Sequence, residues 1–441
     1  MNRVLDLKLK HDELFQGKLA EMIPYHRMYG KSYCLPSLTL YQPEEWDYLR
    51  SASERINLIY WKALRFTQRY LPDSFLTGPL GLHPSMVEAS RLEVPSHGIS
   101  RQDWIIGPNG MKCIENNTDT PTGVPETAIL EKRLVEGFTP YTSISGEMRN
   151  SIQSAFRRLI GYYSEQGLAG TIAFSCYDWH MEDTVNTRYI MDAVAELGYS
   201  VMFVPLERLE IIPGEGLYAY GRRIHMLYRL YPLEYLIQDT DEASGLHVGE
   251  ALMDLVVQGR LGLINPAQSI IMQSKGFMAL IWSLFERSDI TEQYCGFTLF
   301  EPEELETIST YLLPTYYEKT VFEQANKPYV AKAYWGREGK GTAVYNGRGT
   351  LEEAEWGHDE EEAAEVIDYY GNQPKIYQEC WPMEEVNIRT ESGETNGFLL
   401  TGVYVIGGAC SGLLPRIGGK ITGDMAYYCP AALAIKREGK N

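Results

Sequence analysis

The 441-residue chain has no run near the ~18 uninterrupted apolar residues of a membrane span, which excludes a helical membrane protein. Its first 30 residues lack the charged-then-apolar pattern of a secretion signal, so a cytoplasmic location is expected. Lys/Arg clusters are missing too: at a formal net charge of −19, nothing reverses the field that repels nucleic acid. The seven cysteines are odd in number, widely spaced and without a CxxC pair, which argues against a disulfide framework or a zinc site. Neither a Walker A spacing nor a GxGxxG fingerprint occurs, and there are no internal repeats or low-complexity segments.

What is present is ordinary globular material, long enough for roughly two or three units of ~100–200 residues. Aromatic residues make up 12%, including 31 tyrosines, ample for cores and for pockets that stack on flat ligands. Leu49, Ala52, Ile56, Ile59, Ala63, Phe66 and Tyr70 recur at spacings of three and four, one apolar helix stripe. The first hundred residues therefore read as a helical layer. From Thr171 the pattern turns to a strand, a loop with Asp178, Glu182 and Asp183, a helix from Thr184 to Leu197, and a strand from Tyr199 to Val204. In such a βαβ unit ligands sit beyond the carboxyl ends of the strands, while capping of the helix by Asp183 or Thr184 is an equally simple reading. Short strands are expected at 329–334, 375–380 and 398–406, and the acidic run Glu352 to Glu365 reads as an exposed helix or lid flank.

The segment from Arg101 to Asp119 has two strand-like arms around Pro108-Asn109-Gly110. A three-residue hairpin loop with Gly110 left-handed pairs Gly107 with Met111. Counting outward, Asp103 faces Glu115 and Arg101 faces Asn117, all on one sheet face. Opposed carboxylates repel, so the pair calls for a cation or a raised pKa. Mg2+ suits them: it takes hard oxygen ligands, here Asp103, Glu115 and the Asn117 amide, beside phosphate and water. Arg101 adds a planar cation for phosphate.

A second constellation spans residues 327–342. Val330, Lys332 and Tyr334 alternate onto one strand face, so Lys332 is aimed inward where an ammonium needs an anion. The strand runs into Gly336-Arg337-Glu338-Gly339-Lys340-Gly341-Thr342, whose glycines let backbone N–H groups approach phosphate, with Arg337 or Lys340 adding charge.

In these blocks the chain resembles the glutathionylspermidine synthase family of ligases. The resemblance rests on Arg101-x-Asp103, then Glu115, Asn117, Asp119, Thr120, Thr122 and Glu126; the Glu182-Asp183 pair; the SKGFMALIWSLF segment with Lys275; Lys332 with Gly336, Arg337 and Gly339; and IYQECWP at 376–382. It implies an α/β (α+β) ATP-grasp fold with an inserted Rossmann-like pre-ATP-grasp βαβ domain and an N-terminal helical layer. The implied division is 1–100 helical layer, 101–168 metal-binding hairpin and central region, 169–266 substrate domain, and 267–441 nucleotide-binding and lid region. Asp103, Glu115 and Asn117 match the family's magnesium ligands, and Lys275 and Lys332 its nucleotide lysines. Gln378, Glu379 and Trp381 match the segment beside the adenine, while Arg101 and Arg337 match arginines near the transferred phosphate. Thr120, Thr122, Glu182 and Asp183 fall where the family holds the peptide and the amine, and Gly339 lies in the loop over the nucleotide.

The implied reaction uses ATP to turn a carboxylate into an acyl phosphate, which an amine then attacks. The implied partners are a small-molecule carboxylate and a polyamine-like amine, with no nucleic acid and no membrane. Only the synthetase half of the family's bifunctional members is expected to correspond. Those members read ExNxD followed by serine, any residue, serine and cysteine; here the block is Asp119-Thr120-Pro121-Thr122-Gly123. An ATP-grasp ligase for a different acid and amine, and an idle nucleotide-binding regulatory protein, are the alternative readings.

Overall fold

A computed structural model of the protein describes residues 3–28, 30–357 and 360–436. The helix stripe becomes the 28-residue helix Pro43–Tyr70, opened by Pro43 at its first position and by a capping box between Gln42 and Glu45. Six of the seven stripe residues are buried, and Tyr70, the last residue of the helix, is 48% exposed. The helical layer also carries strands that no apolar stripe announced. Val4–Asp6 pairs with Ser37–Tyr41, which in turn pairs with Ala431–Lys436, so residues from both ends of the chain share one sheet.

Two larger sheets position the site. One runs in the order Tyr427–Tyr428, Ala409–Gly418, Gly393–Ile406, Ile99–Gly107, Gly110–Asn117, with Glu385–Thr390 branching off Gly393–Ile406. The other is antiparallel, in the order Thr315–Tyr316, Lys375–Glu379, Tyr329–Ala333, Thr342–Tyr345, Leu351–Ala354. The expected βαβ unit is Ile172–Cys176, helix Met181–Ala195 and Val201–Pro205, and it extends into a four-stranded all-parallel sheet with Met226–Arg229 and Gly262–Ile264. The acidic run divides into strand Leu351–Ala354 and the start of helix Glu360–Gly371, while positions 358 and 359 of it lie outside the described residues. No helix among the described residues is long and apolar enough to cross a membrane.

The hairpin reaches the expected facing pairs by a different route. Its loop has two residues: Gly107 pairs with Gly110, and Gly110 takes φ +108°. That shortens the register by one residue, and a bulge at Ile114 restores it, since Trp104 pairs with Cys113 but Asp103 with Glu115 and Arg101 with Asn117. Beneath the hairpin, Trp104 is fully buried and its indole N–H donates to Gln102 Oε1 at 3.0 Å, which anchors the strand from the opposite face.

Candidate active site

The two sheets enclose a cavity of about 550 Å3. Arg101, Asp103, Glu115 and Asn117 line it from the hairpin, Thr120 and Thr122 from the loop that follows, and Lys332, Gln378 and Glu379 from the antiparallel sheet. Arg337, Gly339, Trp381 and Glu182 complete the sequence-derived set at its wall. Two expected residues are not at the wall. Lys275 is buried behind it, and Asp183 turns away to His180, with 3.3 Å between carboxylate and imidazole. Helix capping falls to His180, whose ring accepts the Asp183 N–H at 3.4 Å, and not to Asp183 or Thr184.

Charge in the cavity is arranged around the carboxylates. Asp103 accepts from Arg101 Nε at 3.0 Å on one oxygen and from Arg416 Nη2 at 2.9 Å on the other. Burial pushes the Asp103 carboxyl up, but the two guanidinium groups outweigh it and hold it below the ordinary carboxylate range. Glu115 accepts from Lys275 Nζ at 3.0 Å, and the same ammonium donates to the carbonyl of Gly336 at 2.6 Å. Lys275 thus ties the hairpin to the start of the glycine loop. Lys332 donates to Gln378 Oε1 at 2.8 Å and to the carbonyl of Ile114, the bulged residue, at 3.0 Å. A bulge leaves its extra residue out of the strand ladder, so its carbonyl is free for this contact. Burial, only partly countered by Glu115, pulls the Lys332 ammonium down to about 8.

In the glycine loop the two basic candidates separate. Arg337 reaches the cavity, donating to Glu234 Oε1 at 2.7 Å and to Thr120 Oγ1 at 3.2 Å. Lys340 instead pairs with Glu362 of helix Glu360–Gly371 at 2.6 Å. Gly341 has φ +75°, and a Cβ there would lie 2.8 Å from Tyr370 on that helix. Glycine is therefore required both by conformation and by the docking of the helix.

The loop after the hairpin is held from both sides. Asp119 is buried in an ion pair with Arg229, whose Nη1 donates at 3.1 Å, and also accepts the Leu233 N–H at 3.0 Å. The Thr122 carbonyl accepts from Arg101 Nη1 at 3.1 Å and from the Tyr404 hydroxyl. Gly123 has φ +88°, and a Cβ on it would lie 2.7 Å from Leu414 and 2.9 Å from the Tyr404 hydroxyl. Across this loop, burial first and then the charges of Glu126 and Asp183 push the Glu182 carboxyl up to about 8.

Sequence reasoning missed Arg416, Glu234 and Arg229. Arg416 had a faint signal, a lone cation in the apolar strand GLLPRIGG two residues from Leu414, which also lines the cavity. Glu234 and Arg229 act through pairings across long chain separations, which no local pattern encodes.

As a donor set for a cation, Asp103, Glu115 and Asn117 project together into the cavity, and the buried Asn117 amide nitrogen has no hydrogen-bond partner among the described residues. Amide orientation is interchangeable, so either end of that side chain can turn toward a ligand. Two carboxylates and an amide oxygen fit a hard divalent cation.

Comparison with known proteins adds three findings. The sequence model of the glutathionylspermidine synthase preATP-grasp family matches residues 20–434. A Haemophilus influenzae protein carrying the name acid–amine ligase is 21% identical over 357 residues, 79% of this chain and 78% of that protein. The apo structure of a glutathione synthetase-like effector from Globodera pallida covers 90% of this chain and 89% of its own, with a TM-score of 0.54 at 11% identity, a likeness of fold.

Proposed function

The chain belongs to the glutathionylspermidine synthase preATP-grasp family, and from that premise we propose that it is an ATP- and Mg2+-dependent ligase joining a small carboxylate to an amine. The observation that carries this reading is the facing pair Asp103 and Glu115 at the wall of a cavity that also gathers Arg101, Lys332, Arg337 and Arg416. Opposed carboxylates ringed by cations suit a metal-bound polyphosphate better than any neutral ligand. Asp103, Glu115 and Asn117 would hold the Mg2+, which when bound neutralises charge on the phosphate oxygens.

In the reaction a carboxylate oxygen of the acid attacks the γ-phosphorus of ATP, and the bond to the β-phosphate oxygen breaks to release ADP. The acyl phosphate is then attacked at carbon by the neutral amine. Its C–O bond breaks, phosphate leaves, and the ammonium proton is lost to a base. Lys332 and Arg337 orient the phosphates, and Arg101 and Arg416 meet the charge that develops on transfer. Docking of helix Glu360–Gly371 over the glycine loop excludes water from the acyl phosphate. Glu182 at the cavity wall suits a cationic amine, while Thr120 and Thr122 offer hydroxyls to the acid.

The acid itself is proposed to differ from glutathione at its thiol end. Gly123 stands where bifunctional relatives have cysteine, and its Cβ position is filled by Leu414 and Tyr404. The test is incubation with ATP, Mg2+ and a matrix of carboxylates and amines, reading ADP release and the mass of the product. ADP release dependent on both an acid and an amine, with an amide mass, supports the reading. Nucleotide binding without turnover for every pair favours the idle nucleotide-binding alternative.

A further inference from the structure

Lys112 is not at the cavity wall, yet it is buried directly behind it. Its ammonium donates to the carbonyls of Ser309 at 3.1 Å and Leu312 at 3.0 Å, at the C-terminal end of helix Pro302–Tyr311. These are carbonyls a helix leaves without internal partners, where a cation is favoured. The same Nζ lies over the ring of Trp381, 5.1 Å from its centroid. Trp381 is half-buried and lines the cavity, and its indole N–H has no hydrogen-bond partner among the described residues. The ring is therefore oriented by packing and by the cation beneath it, not by a hydrogen bond of its own. Ile105, Ile114, Val330 and Val344 from the two sheets, and Leu313 from the segment after helix Pro302–Tyr311, also line the cavity. With Trp381 they give that cavity an apolar, aromatic lining whose chemistry suits a flat heteroaromatic ring.

We propose that Lys112 is a positioning residue for the nucleotide base: clasped by the helix end, its ammonium holds the Trp381 ring as one wall of the base site. The inference rests on the reading of the cavity as an ATP site. Lys112 also joins three pieces of the chain. It sits on strand Gly110–Asn117, binds the helix end that leads into Leu313, and fixes Trp381, which follows strand Lys375–Glu379. A helix cap alone would account for the two carbonyl contacts, but not for a ring at the cavity wall held over the same ammonium.

Lys112→Gln keeps two donors for the carbonyls and removes the charge, so it separates the cap from the cation. Calorimetry with Mg-ATP and with Mg-tripolyphosphate, which lacks the base, reads the difference. Freeing one side chain in a binding site weakens affinity by roughly three- to tenfold. That loss is expected for ATP and not for tripolyphosphate in Lys112→Gln and in Lys112→Met, with recovery in Lys112→Arg. Turnover is expected to show a raised KM for ATP at unchanged kcat. A Trp381→Phe background is expected to abolish the change in tryptophan emission seen on substituting Lys112. Equal losses for ATP and tripolyphosphate, or unchanged ATP affinity in both charge-removing variants, overturn the assignment while leaving the ligase reading intact. A wild-type protein that binds neither ligand overturns both.

Discussion

Asp103 and Glu115 face each other across the hairpin, but their surroundings differ. Asp103 is held between Arg101 and Arg416, whereas Glu115 meets the single ammonium of Lys275. The repulsion between opposed carboxylates expected from the sequence therefore does not govern Asp103→Ala; that change strands two guanidinium groups and is expected to cost roughly 3 kcal/mol of stability as well as activity. Asp103→Asn preserves shape and should abolish ADP release with a smaller shift in melting temperature. Glu115→Ala is expected to abolish ADP release too, and a melt of the three variants beside a turnover assay distinguishes these outcomes. Lys332 gives a pH prediction. Its ammonium is the form that attracts phosphate, and it is lost as pH rises through about 8. ATP affinity is thus expected to be flat below that range and to fall above it. Lys332→Met should bind ATP weakly at every pH without that alkaline limb, as measured by calorimetry from pH 6.5 to 9.5. An unchanged limb in the variant would move the titration to another group.

At the scale of elements, the hairpin shows how a site can be legible while its geometry is not. Period-two alternation and the Gly110 turn placed Asp103 opposite Glu115, because side-chain direction in a strand depends only on residue count. The two-residue loop and the bulge at Ile114 were invisible, since each depends on the partner sheet; they change the register by one in opposite senses and cancel. The bulge then supplies the Ile114 carbonyl to Lys332, a contact between sheets that no local pattern contains. The glycine loop was legible as a loop, but Arg337 and Lys340 could be told apart only by what packs against them, Glu234 for one and Glu362 for the other. Gly341→Ala tests that docking. A left-handed non-glycine residue costs roughly 1–3 kcal/mol, and the added methyl meets Tyr370. The expected result is faster protease cleavage within helix Glu360–Gly371 and a reduced kcat/KM for ATP; wild-type cleavage rates would show that the helix does not depend on this contact.

Across the whole molecule, the parallel unit from Ile172 was readable because buried parallel strands are continuous apolar runs with a helix between them. The sheet formed by both chain ends was not, because pairing of Ser37–Tyr41 with Ala431–Lys436 spans nearly the full length of the sequence. A buried carboxylate elsewhere couples the fold to pH. Glu131 accepts from the Ser143 hydroxyl at 2.7 Å and from the N–H groups of Ile144 at 2.7 Å and Ser145 at 2.9 Å, and burial pushes it up to about 7. Between its unfolded value of 4.5 and about 7 the folded state holds a proton that the unfolded chain has lost. Stability from this group is therefore complete below 4.5 and declines as pH rises to about 7, by at most about 3 kcal/mol. The difference in melting temperature between wild type and Glu131→Gln should narrow as pH rises across that window, and a difference independent of pH would contradict it.

The central claim is that this cavity transfers a phosphoryl group to a carboxylate before an amine arrives at carbon. It is tested most directly by labelling both carboxylate oxygens of an accepted acid with 18O and following the label by mass spectrometry or 31P NMR. The account predicts one 18O in the released phosphate for each amide formed, with the other retained in the amide carbonyl. Unlabelled phosphate accompanying amide formation would contradict it.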